Sequence, residues 1–300
     1  MNKKPVFSLV IPTYNRLDRL QICLEAIAKL DYSHADFEVI VVDDGSKTPL
    51  DAIIARFKTE LDLQLLRQSN AGPASARNAG AAIARGKFIV FTDDDCRPTA
   101  NWLTAFADRF DSNPAALLGG QTLNALPENL YSTASQLAID YIYNYYNQGE
   151  MKANFFASNN FALPTAAFES IGGFDQTFPL AAAEDREFCD RWLDRGGRMV
   201  YVPEAQIYHA HHLSLPTFWR QHFNYGRGAF CFHQIRADRT QERIAVEPLA
   251  FYFQLITYPF AKVPSHIAIC LSALIFLSQA ANAIGFFAER QSVPQVLNPT

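Results

Sequence analysis

The sequence predicts an α/β protein: a mostly parallel, Rossmann-like sheet with helices on both faces, followed by apolar C-terminal helices. Three observations carry that reading. Between residues 6 and 92, short β-prone apolar runs alternate with segments of helical periodicity, the pattern of a parallel sheet covered on both sides. Two of the runs end in acidic turns, VIVVDDGS at 39–46 and FTDDDCRP at 91–98, and in such sheets ligands gather beyond the carboxyl ends of the strands. Finally, Leu249–Ala261 and Ile267–Ala288 are aliphatic and aromatic and carry no charge.

Taken in order, Val6–Ile11 is a continuous apolar run that stops at Pro12, as a buried strand does. Residues 16–30 place Leu17, Leu20, Cys23, Leu24, Ile27 and Leu30 at helical spacing, which makes one apolar face. A second strand is expected in 37–46, a helix in Asp51–Leu61, a third strand in Leu63–Arg67, an Ala-rich helix in Gly72–Arg85 and a fourth strand in Lys87–Thr92. Beyond residue 100 the alternation loosens. A helix is expected at Asn101–Phe110, a strand at Ala116–Leu123, a tyrosine-rich helix at 131–147 and a strand at Phe155–Leu163. TAAFESI then forms a short helix closed by Gly172 and Gly173, and Glu184–Arg195 another ended by Gly196 and Gly197, since glycine tolerates the left-handed conformation past a helix end. Met199–Val202 and Gln206–His209 are read as two short strands. The expected division is a main domain at 1–230 and a helical, apolar appendage at 231–300.

Composition narrows the function. A formal net charge of −4 argues against a nucleic-acid partner, which needs a basic surface. Five scattered cysteines without a CxxC pair suit reduced thiols in a cytoplasmic compartment. The opening MNKKPVFSLVIPTYN reads as a first strand, not an export signal, because its apolar run is short and broken by Pro12.

The chemistry concentrates at the acidic turns. Like charges repel, so Asp93, Asp94 and Asp95 in sequence cost free energy unless a cation or water offsets them. Hard cations such as Mg2+ or Mn2+ bind oxygen through one or two carboxylates together with substrate phosphates. Asp93 and Asp95, one residue apart at a strand's end, can both face such an ion; a solvated turn is the plainer alternative. Asp43 and Asp44 can accept hydrogen bonds from a base or ribose, or serve a DG turn with Ser46 as cap. Pro12, Thr13 and Tyr14 end the first strand beside them. No GxGxxG is present, which leaves a dinucleotide dehydrogenase poorly supported. In YHAHH, His209 is a candidate third metal ligand, against which stands the preference of Mg2+ for oxygen.

IPTYNR (11–16), VIVVDDGS (39–46), NAGPASARNAG (70–80), FTDDDCRP (91–98), NNFALP (159–164), IGGFD (171–175) and AAEDREF (182–188) occur in the order seen in glycosyltransferase family 2. The chain resembles that family over roughly residues 6–230. The resemblance implies the GT-A fold and an inverting, metal-dependent transfer from a nucleoside-diphosphate sugar to an acceptor hydroxyl. It implies Asp43 and Asp44 at base and ribose, and Arg77 and Asn78 in a segment closing over the nucleotide. Asp93 and Asp95 match the metal-binding pair, with Asp94 between them. Asp185 matches the general base beside Glu184, while Asn160, Gly172 and Gly173 match positions on the acceptor side; the glycines serve equally as helix punctuation. Arg227 falls in a segment that covers the diphosphate in relatives. That segment reads FWRQHFNYGRG in place of the QxxRW of polymerising members, which favours one sugar per encounter. A nucleotidyltransferase and a non-catalytic sugar-nucleotide scaffold remain the rival readings.

The apolar C-terminal segments fit either a membrane surface or an oligomer interface. Ser272, Gln279 and Asn282 leave a weak polar stripe that disfavours a full span. Arg227, Arg236, Arg239 and Arg243 precede them and suit anionic headgroups. A peripheral place on the inner face of the cytoplasmic membrane follows as an expectation, with a saccharide or lipid-linked acceptor of the cell-envelope kind.

Overall fold

A computed structural model describes residues 4–149, 153–178, 182–241 and 246–292; Arg243 lies outside them. Among the described residues the strands are β1 (Phe7–Thr13), β2 (Phe37–Asp43), β3 (Leu63–Arg67), β4 (Phe88–Thr92), β5 (Cys96–Pro98), β6 (Leu117–Asn124), β7 (Asn160–Pro164) and β8 (Met199–His209). They form one sheet in the order β3-β2-β1-β4-β7-β6-β8-β5. β3, β2, β1 and β4 are mutually parallel, and β7 runs antiparallel between β4 and β6. β8 is parallel to β6 and carries the short antiparallel edge strand β5.

The helices are α1 (Leu17–Ile27), α2 (Asp51–Phe57), α3 (Pro73–Ala82), α4 (Trp102–Ser112), α5 (Leu130–Tyr146), α6 (Thr165–Ile171), α7 (Glu184–Asp194), α8 (Leu215–Thr240), α9 (Leu249–Thr257) and α10 (Ser265–Ser292). Strand residues alternate between two cores, as the two-residue pleat requires. Leu9, Ile11, Val39 and Val41 face the core packed by α1, α2 and α4; Val10, Ile40 and Val42 face that of α3, α6 and α7. A third cluster joins α5, α8, α9 and α10 through Tyr141, Phe218, Phe251, Leu271 and Ile275.

Two strand readings need correcting, and two features went unread. Met199–Val202 and Gln206–His209 belong to one strand: β6 pairs with both pieces, and residues 203–205 bulge out at the Gly120–Gln121 step, where Pro203 has no N–H to give. The strand expected at Phe155–Leu163 begins only at Asn160, because the preceding backbone is used elsewhere: Ala157 N–H donates to the Tyr143 hydroxyl and Ser158 N–H to Asp185. β5 went unread, three residues being too few to show alternation. Finally, α8 begins at a Ser214–Thr217 capping box and does not stop at residue 230. It continues to Thr240 with α10 laid along it, so that the boundary drawn at 230 falls inside a helix.

The α8–α10 contact is close because of two glycines. A Cβ on Gly226 would stand 1.9 Å from the Asn282 carbonyl oxygen, and one on Gly285 2.0 Å from that of Phe223. α10 buries Ala268, Leu271, Ile275, Ser278, Ala281 and Gly285 on one stripe.

Candidate active site

The carboxyl ends of β1, β2 and β4 and the last residues of β8 bring the acidic turns together. At the β2 end, Asp43 accepts the Ser46 N–H at 2.9 Å, and Ser46 Oγ accepts the Asn15 N–H at 2.8 Å. Asp44 takes Gln68 Nε2 (2.7 Å), Asn70 Nδ2 (3.2 Å) and the N–H groups of Ala71 and Gly72 (2.9 Å each). Asp44 therefore clasps the loop into α3, a role that its DG context does not reveal. Pro12 lies within β1, Thr13 is buried, and Tyr14 is exposed beside the turn.

Thr13 Oγ1 donates to Asp94 Oδ2 at 2.7 Å, and Arg16 Nη1 spans Asp94 (3.2 Å) and Asp95 (3.3 Å). Arg19 adds a second contact to Asp95 at 3.1 Å. These arginines, one capping α1 and the other in its first turn, offset the repulsion that the three aspartates create. Burial pushes the Asp94 carboxyl up to about 6, against the pull of Arg16. Burial would also raise Asp95, but the charges of His209 and Arg16 outweigh it and hold Asp95 well below the usual carboxylate range.

The pairing of β5 with β8 sets Cys96 opposite His209, and it brings His209 Nε2 within 3.1 Å of Asp95 Oδ1. That contact is an ion-pair distance without an aligned hydrogen bond, so Oδ1 is a buried oxygen lacking a hydrogen-bond partner. Burial opposes the charged imidazole, yet Asp95 raises His209 above its ordinary value. Asp95, Cys96 and His209 place ligand atoms within 4.8 Å of one another. Cys96 is a buried thiol pushed well up by burial, a poor partner for a hard cation. An unpartnered carboxylate oxygen facing an imidazole nitrogen does fit Mn2+ or Mg2+.

Asp93, the most open of the three, is held by Arg77 Nη2 at 2.7 Å. Arg77 Nη1 meets Glu184 Oε1 at 2.9 Å. Burial opposes the charge of this guanidinium, but Asp93 and Glu184 outweigh it and raise Arg77 above its ordinary value. With 3% of its surface exposed, Arg77 lies beneath the site, not over it as a nucleotide cover. Asn78 is also occupied internally: its amide exchanges two hydrogen bonds with the Phe174 backbone, at 2.8 and 2.9 Å. Gly173, at φ 66°, packs against that amide, and Gly172, at φ 92°, ends α6.

Asp185 is the second residue of α7, whose first, Glu184, directly follows Ala183, a non-glycine residue at φ 71°. It accepts the N–H groups of Arg186 (2.8 Å) and Ser158 (3.3 Å). Glu184 is fully enclosed, whereas Asp185 keeps part of its surface open. Burial raises both carboxyls, and the charge of Asp185 raises Glu184 further, with Arg77 opposing. Tyr225 of α8 faces the same group: burial, then the charges of Asp185, Glu184, Asp93 and Asp95, push its hydroxyl up. No motif pointed to Tyr225, Arg16 or Arg19 in these contacts, although Arg16 ends IPTYNR and Tyr225 lies within FWRQHFNYGRG.

Two expected residues stand elsewhere. Asn160 is wholly buried and uses its amide on Trp102 Nε1 (2.8 Å) and the carbonyls of Gln121 and Ala205 (3.0 Å each). It rivets β7 to the bulge and cannot meet an acceptor. Arg227 pairs with Glu289 of α10 at 2.5 Å, a partner beyond the reach of any local motif.

The fold and its acidic carboxyl edge define a GT-A glycosyltransferase. The family profile described as "Glycosyl transferase family 2" matches residues 8–172, over half of the sequence, and the chain belongs to that family. It is 27% identical to "Glycosyltransferase AglE" of Haloferax volcanii over 203 residues, 67% of this chain and 66% of that one. It is 28% identical to the "Pre-mycofactocin glycosyltransferase" of Mycobacterium tuberculosis over 78% of this chain and 48% of that one. The chain thus spans 66% and 48% of the length of these two curated relatives. In fold it is similar to the mannosyltransferase PcManGT from Pyrobaculum calidifontis in complex with GDP-Man and Mn2+, with a TM-score of 0.64 at 17% identity, covering 93% of this chain and 87% of that one. S. aureus TarS 1-349 in complex with UDP gives 0.54 at 18% identity, covering 98% and 94%.

Proposed function

We propose that this chain transfers a glycosyl group, with inversion, from a nucleoside-diphosphate sugar to a saccharide hydroxyl, free or lipid-linked, in the cytoplasm or at the inner face of its membrane. The observation that carries the reading is the Arg77 bridge, which sets the donor-side carboxylate Asp93 and the Glu184–Asp185 pair on either side of one guanidinium. The GDP-Man bound by one similar structure and the UDP bound by the other support the donor class.

Asp43, at the open end of β2, receives the nucleoside. Asp93, Asp95 and His209 would hold Mg2+ or Mn2+, which when bound supplies positive charge for the departing diphosphate. Asp185 takes the proton of the acceptor hydroxyl as its oxygen attacks the anomeric carbon. The new C–O bond forms as the bond to the diphosphate breaks, and the electron pair leaves with the diphosphate. The N–H groups of Arg186 and Ser158 aim the Asp185 carboxylate, and its raised pKa makes it a stronger base than a solvated aspartate.

Asp185→Asn is expected to lower kcat by about 10²–10⁴-fold while calorimetry shows donor affinity within error of the parent. Unchanged turnover would sink the assignment of the base. Release of pyrophosphate in place of a nucleoside diphosphate would identify a nucleotidyltransferase instead.

A further inference from the structure

Exposed large apolar side chains are concentrated at one end of the chain. Leu249 (87% exposed), Phe253 (70%), Ile269 (60%), Phe276 (63%), Ile284 (51%) and Phe287 (54%) all belong to α9 and α10. α10 reaches a mean hydropathy of 2.0 over its most apolar window and, among the described residues, is the one helix long and apolar enough to cross a membrane. It is nevertheless not free to do so alone. Its buried stripe is committed to α8 and α5, and the Gly226 and Gly285 contacts leave no gap along α8. One flank of an apolar helix is thus fastened to the body while the other meets solvent. A contiguous exposed apolar patch of this kind marks a contact surface.

Charge identifies what covers it. Between Pro248 and Ala288 the only charged residue is Lys262, which sits before α10 with its ammonium over the Tyr258 ring. Arg290 closes the helix at its other end, and exposed His266 lies near its start. Neither Lys262 nor Arg290 makes an ion pair among the described residues; the acids around them are Asp140 of α5, which feels the charge of Lys262, Glu289, held by Arg227, and Glu247, held by the hydroxyls of Tyr145 and Tyr146. The stripe therefore has an uncharged middle with a cation outside any ion pair at each end. A second copy pairing antiparallel would set Lys262 against the other copy's Arg290; pairing parallel would set like against identical. Either way no acid on the stripe meets the cations. An anionic lipid surface satisfies both parts, taking the phenylalanines below its headgroups and the cations among the phosphates.

We infer that the outer face of α9 and α10 is a docking surface for an anionic bilayer, on which the protein lies with α10 in the plane of the interface. This docking is independent of the donor chemistry, so its failure would leave the transferase reading standing. The test is flotation of the full chain with phosphatidylcholine vesicles, with and without phosphatidylglycerol. The parent is expected to float with the anionic vesicles and to be released by high salt. Phe276→Glu with Phe287→Glu should lower the bound fraction by about tenfold or more, with an unchanged melting curve. Lys262→Glu with Arg290→Glu should remove the preference for phosphatidylglycerol. Equal flotation of parent and variants would overturn the inference. So would light scattering that shows a parent dimer, split by the phenylalanine variants, with no uptake onto vesicles.

Discussion

Arg77 is the residue on which the site turns. Its guanidinium is buried and shared between Asp93 and Glu184, and removing one member of a buried ion pair leaves an uncompensated charge. Arg77→Met should cost about 3–5 kcal/mol, read as a lower denaturation midpoint in urea at an unchanged slope. The raised carboxyls at 184 and 185 make a second prediction. Asp185 works as a base only when unprotonated, so kcat should fall on acidification at a pH above the usual aspartate value of about 3.9. Arg77, Tyr143 and Tyr225 all face this pair, and Glu184→Gln should move the acid limb downward by removing a like charge. The stability sign is the reverse of that for a salt-bridged acid. The folded state holds these protons more tightly than the unfolded chain, so the pair stabilises the fold at low pH, and that contribution is lost as pH rises through the folded values. The acids of this cluster were legible in the sequence because they are consecutive and sit in turns. Their partners were not. Arg16 reaches Asp94 across 78 positions, and Asn160 looked available because sequence carries no sign of the tryptophan and carbonyls that occupy it.

Among the elements, the parallel half was read almost to the residue, since β1, β2 and β4 are buried on both faces and appear as nearly continuous apolar runs, while β3 is a half-buried edge strand. The α8 helix was unread for the opposite reason. Gly226 and Gly228 interrupt it, and its apolar residues answer to several partners instead of one core. Those glycines allow a sharp test. In an exposed helix, Gly→Ala adds about 1 kcal/mol of stability. At Gly226 or Gly285 the new methyl would meet a carbonyl oxygen at 1.9 or 2.0 Å, and overpacking of this kind costs about 1–3 kcal/mol. Gly226→Ala and Gly285→Ala should therefore each lower Tm in a circular-dichroism melt, against the sign that helix propensity dictates.

For the molecule as a whole, β7 divides a parallel half from a mixed half that carries β6, β8 and β5. That reversal was invisible beforehand: a buried strand reads alike in either direction, and its partners lie far away in sequence. The His209–Asp95 contact depends on it, because only the completed sheet brings β8 back to the β4 end. Ligand binding then becomes a property of the whole fold. A nucleotide present with Mn2+ at about a hundredfold over its Kd should add about 2.7 kcal/mol, seen as a Tm rise of about 5 °C in a chain of this size. His209→Ala should diminish the rise with Mn2+ and leave that with metal-free nucleotide unaltered.

Of the five thiols, Cys23, Cys96 and Cys189 are buried, Cys231 is half-covered, and only Cys270 is exposed, one residue beyond Ile269. The native chain therefore supplies its own attachment point for an environment-sensitive fluorophore. A maleimide dye placed there needs no engineered mutation, and its emission colour would show directly whether that flank of the helix sits in water or in hydrocarbon.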